Sequence, residues 1–356
     1  MRPSGSVDLV KTLAIICVIS GHAVLMDDTE LFRAYMKWED GIWQNLVFLF
    51  SQAARFSVPC FFVLSGYLWG QKANKGVNLA PASPVVVKRA KRIFFVFVAW
   101  SAIYLFPFDL VPKMFVDGPV WPLKVAYWRF IDHVANPMRL MLQGTRVHLW
   151  YLIALLWALA ITSLFASRNH IRTLIAVSVT LYIIGVFGKA YANTGLGFHS
   201  QVDTRNGPFF STVFFVSGYL ISQMRPNGSW ALKGSMIFLL GFTLHLTELY
   251  ILWREYGINL MQDYVFGTYL MGLGAAMVAL SNHSMMVNKS STISVIGTFS
   301  LGIYAIHFIF VDLLKPLGWV FSGPAWSFAY ASLVLLLSLA ATKILSKFSF
   351  TREIVQ

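Results

Sequence analysis

Long runs of apolar residues alternate with short polar segments along almost the whole chain. Each run has roughly 17 to 25 residues, the length that a helix needs to cross a hydrocarbon core about 30 Å thick. The runs lie near residues 8–26, 44–70, 90–108, 147–166, 171–190, 207–223, 232–252, 262–281, 292–314 and 325–346. They are continuous rather than alternating, which favours helices over the strands of a barrel. The pattern predicts an all-α integral membrane protein, a bundle of about ten transmembrane helices.

Composition agrees with this interpretation. Of the 356 residues, 57% are hydrophobic and only 12% are charged, which is typical of polytopic membrane proteins. A net charge of +13 would suggest a nucleic-acid partner in a soluble protein, but here we attribute it to cytoplasmic loops and expect no nucleic acid. We predict a single polytopic domain over residues 1–356, a multi-pass protein of the bacterial inner membrane.

The distribution of cations favours an orientation with both termini in the cytoplasm. On that side the prediction places Arg2, Lys11, Lys72, Lys75, Lys88, Arg89, Lys91, Arg92, Arg168, Arg172, Arg225, Lys233, Lys289, Lys343, Lys347 and Arg352. Most cations of the opposite side fall in one long outer loop, about 109–146, where the positive-inside rule counts them weakly. This loop is rich in Pro, Trp and Met and is predicted to lie along the outer membrane interface.

The first apolar run carries Asp8, Lys11 and His22. On a helix, all three project from nearly one face, and His22 lies about 16 Å further along the axis than Lys11. An ionisable residue within a span is costly unless it faces protein or water, so His22 is a candidate functional residue. The alternative is a histidine that packs between helices and donates to a neighbouring carbonyl.

Two later spans share a local motif. Phe61-Phe-Val-Leu-Ser-Gly-Tyr-Leu68 in the second span is echoed by Phe214-Phe-Val-Ser-Gly-Tyr-Leu220 in the sixth, and an arginine precedes each, Arg55 and Arg205. The echo is compatible with a parallel internal repeat around a site near the midplane of the membrane. For the glycines, close packing of helices through small residues is at least as good an explanation, but it explains the two arginines less well.

Several of these motifs, taken together and in order, resemble the membrane-bound acyltransferase-3 family. They are Lys11-x10-His22, Arg55-Phe-Ser-Val-Pro-Cys-Phe-Phe-Val-Leu-Ser-Gly-Tyr67, Lys88-Arg-Ala-Lys-Arg92, His148-Leu-Trp-Tyr-Leu152, Thr204-Arg-Asn-Gly207 and Gly302-Ile-Tyr-Ala-Ile-His307. The resemblance covers essentially the whole chain. It is greatest to the shorter sugar-modifying members, which lack an appended esterase-like domain. The chain departs from the family pattern in having Lys11 where arginine is frequent.

The resemblance implies transfer of an acyl group, usually acetyl, from cytoplasmic acyl-CoA to a sugar hydroxyl at or beyond the membrane. Acetyl-CoA would be a co-substrate, with no bound cofactor. Arg89 and Arg92 share a helix face and can clamp phosphates, with Lys88 and Lys11 in the same donor site. The alternative is that the Lys88–Arg92 cluster anchors a loop at anionic head groups.

For the reaction itself, His22 is the candidate catalytic residue, either as general base or as a transient acyl carrier. Asp8 is expected to pair with Lys11, or to lie at a helix N-terminus where the dipole favours an acid. Ser65 and Tyr67 of the repeated motif are assigned a supporting role.

Near the outer ends of the spans, we expect sugar hydroxyls or a phosphate of a lipid carrier to be held by Arg55, His148 and Arg205. The alternative is that these side chains pair with partners inside the bundle. Glu248, within the seventh span, needs a partner, and we expect an acceptor sugar or a salt bridge with Arg205. Its spacing from His245 is weak evidence for metal, and no metal site is predicted. His307 is expected to serve in packing.

Two other classes remain open from sequence alone. A secondary transporter or flippase for a polar or glycan substrate would also contain buried ionisable groups and breaks such as Pro59. A purely structural scaffold is disfavoured because burial of the ionisable side chains would then cost free energy without serving a function. For the acyltransferase, the acceptors compatible with the sequence are an O-antigen, an exopolysaccharide, a lipid-linked precursor sugar and a small glycoside.

Overall fold

The structure is a computed structural model that describes residues 5–24, 42–111, 114, 118, 120–281, 291–321 and 323–355. Every regular element in these ranges is a helix, which confirms the all-α prediction. The helices are α1 (Gly5–Val24), α2 (Ile42–Ala53), α3 (Ser57–Ala73), α4 (Pro84–Ile103), α5 (Val120–Ala135), α6 (Pro137–Gln143), α7 (Trp150–Ala166), α8 (Ile171–Phe187), α9 (Pro208–Ile221), α10 (Ser229–Tyr256), α11 (Phe266–Leu280), α12 (Thr292–Thr298), α13 (Ser300–Leu314), α14 (Gly323–Leu345) and α15 (Ser349–Val355).

Seven segments of the described chain are long and apolar enough to cross a membrane. They are Ser6–Ala23, Asn45–Ala73, Pro84–Leu110, Val147–Ala166, Ser229–Tyr256, Ser300–Gly318 and Ala325–Leu345. The helices α8, α9 and α11 are apolar but shorter. The multi-pass membrane class is therefore supported, whereas the count of ten spans and the cytoplasmic placement of both termini stay predictions.

Two of the predicted spans are broken rather than continuous. In the second span, a 3-10 turn at Ala54–Phe56 separates α2 from α3 and carries Arg55. Pro59 follows in the first turn of α3, where a missing N–H costs little. The ninth span divides at Phe299, between α12 and α13. Because of this break, the side chain of Arg55 lies at the N-terminal end of α3.

The repeated motif forms a contact between α3 and α9. Gly66 lies against the backbone carbonyl of Phe215, and Gly218 lies against that of Val63, so that a methyl group at either glycine would collide with main chain. Each glycine packs on the residue three positions before the other, a reciprocal contact like that of a two-fold related pair. Close packing through small residues is thus confirmed, while the parallel repeat stays a prediction.

The outer stretch 109–146 contains α5 and α6 in its described part. Several of its large apolar side chains are exposed, among them Trp121, Trp128, Met138 and Met141. Arg129 of α5 donates to both oxygens of Asp109 at 3.1 Å, which ties α5 to the 3-10 turn Phe108–Leu110 that follows α4. An exposed apolar face beside charged residues fits the predicted position along a membrane interface.

Candidate functional site

His22 lies in the last turn of α1 and is half-buried. Its ring centroid is 5.3 Å from that of His307 and 4.7 Å from that of Phe308, both on α13. Buried apolar residues of α1, among them Ile15 and Ile19, pack in the same core as α13 and position the imidazole here. The predicted catalytic histidine is therefore next to a second histidine, which sequence reasoning had assigned to packing.

His307 is fully buried, and its ring orientation is set by the backbone. Its Nδ1 lies 2.6 Å from the carbonyl oxygen of Tyr304, and since a carbonyl has no proton, Nδ1 must donate. The Nε2 atom then carries the lone pair, and it has no hydrogen-bond partner in the part of the chain that the structure describes. This tautomer presents an acceptor nitrogen within the histidine cluster.

His148 is the third member of a histidine cluster with His22 and His307. It sits in the 3-10 turn Val147–Leu149 with only 1% of its surface exposed. Its ring stacks on Phe308 at 4.6 Å and lies 5.1 Å from His307, while the hydroxyl of Tyr304 donates to its carbonyl. Its Nε2 is 3.3 Å from the carbonyl oxygen of Ala305. His148 is thus a buried neighbour of the catalytic candidate, at the wall of a cavity rather than at an exposed outer end.

Two cavities meet at His22. The larger has a volume of about 780 Å³ and is lined by His22, Arg55, Arg205 and Asp263 together with mostly apolar side chains. The smaller has a volume of about 430 Å³ and is lined by polar groups from α5, α6 and α13. Among the residues that the structure describes, His22 is the one side chain that lines both. A substrate in either cavity therefore reaches the same imidazole.

The arginines of the larger cavity are organised around Asp263. Arg205 Nη1 lies 3.3 Å from one carboxylate oxygen of Asp263 and Arg55 Nη1 lies 3.6 Å from the other. Lys189 Nζ reaches Asp263 at 3.1 Å and Asp203 at 2.6 Å. Burial alone would raise the pKa of Asp263, but these three cations hold it at about 2, so the carboxylate is ionised at neutral pH.

Arg205 has further support from its own loop and from α7. Its backbone N–H donates to Asp203 at 2.9 Å, and its guanidinium lies 5.2 Å from the centroid of the Trp150 ring. A guanidinium held by two carboxylates and an aromatic face loses little freedom on binding a substrate. Arg55 and Arg205, the arginines predicted from the repeated motif, are thus brought together at one site.

The smaller cavity contains a second ion pair, between Arg146 and Asp312. The guanidinium of Arg146 also lies over the ring of Phe308 at 4.8 Å. Arg139 and Asp132 form an exposed pair at the rim, 3.9 Å apart. The outer stretch thus supplies a polar wall beside His22.

The predicted donor residues lie elsewhere. Lys11, Lys88, Arg89 and Arg92 are absent from the walls of both cavities in the described ranges. Arg89 lies close enough to Lys72, Arg92 and the hydroxyl of Tyr151 to interact with each electrostatically. Tyr151 in turn lines the larger cavity. The cation cluster is therefore linked to the cavity through Tyr151 rather than opening into it directly.

The supporting residues have contacts of their own. Asp8 accepts a hydrogen bond from Ser294 at 2.9 Å, and no nitrogen–oxygen pair within 4 Å joins it to Lys11 in the described chain. The prediction of a direct Asp8–Lys11 ion pair is therefore wrong. The negative charge of Asp8 acts on the Lys11 ammonium electrostatically, without direct contact. Ser65 lies beside the Tyr151 hydroxyl, and Tyr67 is partly buried on the same helix.

Glu248 has a different role from the one predicted. Its carboxylate accepts from the N–H groups of Phe266 and Gly267 at 3.1 and 2.6 Å and from the Tyr191 hydroxyl at 2.9 Å. It thereby satisfies free N–H groups at the start of α11. The predicted salt bridge with Arg205 is wrong, since that arginine pairs with Asp203 and Asp263.

His245, the other half of the metal-like spacing, uses both ring nitrogens in hydrogen bonds. Nδ1 is 3.0 Å from the Thr268 hydroxyl and Nε2 is 3.1 Å from the Gln52 side-chain oxygen. No group of three or more potential ligands forms a metal site within the described residues. These contacts assign His245 to packing between α2, α10 and α11.

Three residues of the site were missed from sequence: Arg146, Asp263 and Asp312. His307, which was expected to serve in packing, is fully buried and packs on His22. Asp263 and Arg146 lie in connecting segments, where a charge is usually solvated. Asp312 lies on α13, four residues and about one turn after Phe308. The available signal was that Asp263 and Asp312 are acids within the predicted apolar runs 262–281 and 292–314, where an acid requires a partner.

Fold and site together define a multi-pass helical membrane protein with a histidine between two cavities. Residues 4–343 match the family model for the acyltransferase domain of the acyltransferase-3 type, so the chain belongs to the acyltransferase-3 family. Membership supports an acyltransferase that uses an acyl donor and an acceptor. The resemblance found in the sequence motifs is thereby confirmed.

A curated relative is an amino-acid racemase of Enterococcus faecalis, 29% identical over 193 residues. The matched segment is 51% of this chain and 24% of the racemase, so the chain corresponds to about a quarter of that protein. No solved structure matches the chain.

Proposed function

We propose that this protein transfers an acyl group, in the first place acetyl, from cytoplasmic acyl-CoA to a hydroxyl of a sugar or glycan at the outer side of the membrane. The proposal adds the donor, the acceptor class and the residues to the acyltransferase activity that family membership supports. It is carried by one observation, the position of the His22 ring at the meeting point of two cavities.

His22 acts in this proposal as the general base. Its neutral imidazole takes the proton from the acceptor hydroxyl as that oxygen attacks the thioester carbonyl. The tetrahedral intermediate collapses with expulsion of the CoA thiolate, which receives the proton. In the rival route the His22 nitrogen attacks the thioester carbonyl first and expels the CoA thiolate. The acyl-imidazole then passes the acyl group to the hydroxyl, whose proton goes to the thiolate.

The charges around His22 suit an acyl transfer. Arg55, Arg146 and Arg205 all lie close enough to act electrostatically on the ring. Fixed cations of this kind stabilise the oxyanion that develops on the thioester carbonyl, and their ion pairs hold them in place beforehand. His307 packs on His22 and restricts its ring.

The donor is proposed to bind from the opposite end of α1. Lys11, Lys88, Arg89 and Arg92 supply positive charge for the phosphates of CoA, with Lys72 beside Arg89. Lys11 and His22 are separated by about 16 Å along the helix. The pantetheine arm is proposed to span this distance past Tyr151, which interacts with Arg89 and lines the larger cavity.

The racemase name gives no second function for this chain, since the match covers only 24% of that protein. A transporter or flippase is distinguished by chemistry, because it would release no CoA.

The test is acetyl transfer by purified protein in proteoliposomes, with acetyl-labelled acetyl-CoA as donor and a glycolipid extract of the expression host as acceptor. Wild type should release CoA and label the glycan, and His22→Ala should do neither while it still binds acetyl-CoA. His170→Ala, at an exposed histidine outside both cavities, is the matched control. Glycan translocation without CoA release would replace acyl transfer by the transporter interpretation.

A further inference from the structure

We propose that the larger cavity takes an acceptor carried on a lipid phosphate, which enters sideways from the bilayer between α2 and α14. This inference rests on the proposed acyl transfer and names the class of its acceptor. It follows from the wall of the cavity, from the charge at its inner end and from the position of His22 between them.

The outer wall of the cavity is made of side chains that also face outward. Leu46 and Phe50 of α2 and Phe328 of α14 line the cavity, yet their surfaces are 53%, 50% and 66% exposed. Both helices belong to segments long and apolar enough to cross a membrane. Exposed apolar side chains on such helices face lipid, so within the described residues the cavity opens towards the hydrocarbon at this gap.

The inner end of the cavity carries uncompensated positive charge. Arg55, Arg205 and Lys189 share the two carboxylates of Asp203 and Asp263, so three cations face two anions. Asp263, with a pKa of about 2, is ionised at neutral pH, and the excess charge therefore persists. A phosphate ester would complete this balance, and guanidinium groups bind phosphate through paired hydrogen bonds.

Both arginines also have unused donors. The Nε atoms of Arg55 and Arg205 are buried and have no hydrogen-bond partner within the described residues. Buried N–H groups without partners are rare in folded proteins, which suggests that a ligand satisfies them. An apolar entrance followed by an arginine pair matches an amphiphile with an aliphatic chain and an anionic head.

The same space reaches the reaction centre. His22 lines the cavity with Arg55 and Arg205, and Cys17, Val18 and Gly21 of α1 line it alongside. A lipid phosphate held by the arginines keeps the hydroxyl-bearing group attached to it beside the imidazole. Fixing the acceptor in this way lowers the entropic cost of the reaction.

The smaller cavity differs in the composition of its walls. Its walls come from the outer stretch and α13 and are rich in charged side chains, including Arg129, Arg139 and Lys315. Neither α2 nor the lipid-facing Phe328 contributes to it. It is suited to the water-soluble part of a glycan rather than to its lipid.

The test measures binding to purified protein in nanodiscs by native mass spectrometry. The probes are undecaprenyl phosphate, the uncharged undecaprenol and phosphatidylglycerol. The variant Leu46→Trp narrows the gap, and Leu49→Trp is its control, because Leu49 is 42% exposed on the same helix but does not line the cavity. A second pair is Ala331→Trp, in the wall, against Ala329→Trp, outside it.

We expect saturable binding of undecaprenyl phosphate, at least tenfold weaker binding of undecaprenol, and no saturable site for phosphatidylglycerol. Leu46→Trp and Ala331→Trp should weaken binding at least tenfold, and the two control variants should bind as wild type. Equal binding of the phosphate and the alcohol, equal binding of phosphatidylglycerol, or equal effects of a wall variant and its control would overturn the inference.

The experiments distinguish failure of the proposed acyl transfer from failure of the proposed lipid site. If undecaprenyl phosphate binds as expected but no CoA is released with any acceptor, acyl transfer is wrong and the lipid site stands. If CoA is released with a water-soluble glycan and undecaprenyl phosphate does not bind, the acyl transfer stands and the lipid-borne acceptor is wrong.

Discussion

The cations at the two ends of the bundle differ in whether they form ion pairs. Around His22, each cation that lines the larger cavity or supports it is paired: Arg55 and Arg205 contact Asp263, and Lys189 contacts both Asp203 and Asp263. At the other end, Lys88, Arg89, Lys91 and Arg92 crowd the first turns of α4, and the described residues place no carboxylate within 4 Å of any of them.

The difference indicates what each end does. Paired arginines have fixed positions, which suits orientation of a substrate and stabilisation of a transition state. An unpaired cluster has mobile side chains and a strong field, which suits capture of a polyanion such as the phosphates of CoA, or of anionic head groups. Chemistry and donor capture are thus expected to separate on mutation.

The largest expected effect is at the paired end. His22→Ala should lower acetyl transfer by about 10²- to 10⁴-fold, the contribution typical of a general acid–base group. Transfer is followed by label incorporation into glycolipid, with His170→Ala as control. The same loss in the control, with both variants folded, would contradict a specific role for His22.

The next effect is at the unpaired end. Arg89→Ala with Arg92→Ala should raise KM for acetyl-CoA tenfold or more with little change in kcat, since each charge-assisted hydrogen bond contributes about 1.5–3 kcal/mol. The control is Arg168→Ala with Arg172→Ala, two exposed cations of another loop on the same predicted side. An equal change in both double variants would mean that only general charge, not this cluster, attracts the donor.

The contact between α3 and α9 sets the distance between the two arginines of the site, since Arg55 and Arg205 each precede one of these helices. Gly66→Ala places a methyl group against the Phe215 carbonyl and should destabilise the protein by about 1–3 kcal/mol. Thermal unfolding in detergent measures this. Gly195→Ala, where a methyl group meets nothing within 4 Å, should leave the unfolding temperature unchanged. Equal stability of the two variants would contradict the close contact.

The smallest effect is confined to acid. The pKa of Asp263 falls from an ordinary 3.8 to about 2 in the folded protein, so its stabilising contribution is complete above pH 4 and is lost as the pH falls towards 2. The difference in unfolding free energy between wild type and Asp263→Asn should be constant from about pH 5 to 8 and shrink below about pH 4. A difference that already shrinks near pH 6 would mean that Asp263 is not held by its cations.

Sequence was sufficient where the signal is local. Continuous apolar runs predicted helices. His22 was recognised as a candidate because an imidazole within an apolar run is costly unless it faces protein or water. The glycines of the repeated motif indicated a close contact, and the arginines before them proved to meet at one carboxylate.

Sequence failed where the site depends on convergence of distant segments. Asp263 and Asp203 are ordinary loop acids until folding brings them to Arg55 and Arg205. Glu248 had the pattern of a buried acid in need of a cation, but the N–H groups at the start of α11 satisfy it instead. The spacing of residues along a single helix contains no information about such contacts between distant segments.

The division between the two ends is tested most directly by acetyl-CoA binding, measured calorimetrically for wild type, His22→Ala and the Arg89→Ala, Arg92→Ala double variant. The account predicts saturable binding in wild type, unchanged affinity in His22→Ala, and at least tenfold weaker binding in the double variant. Binding lost in His22→Ala and retained in the double variant would contradict it.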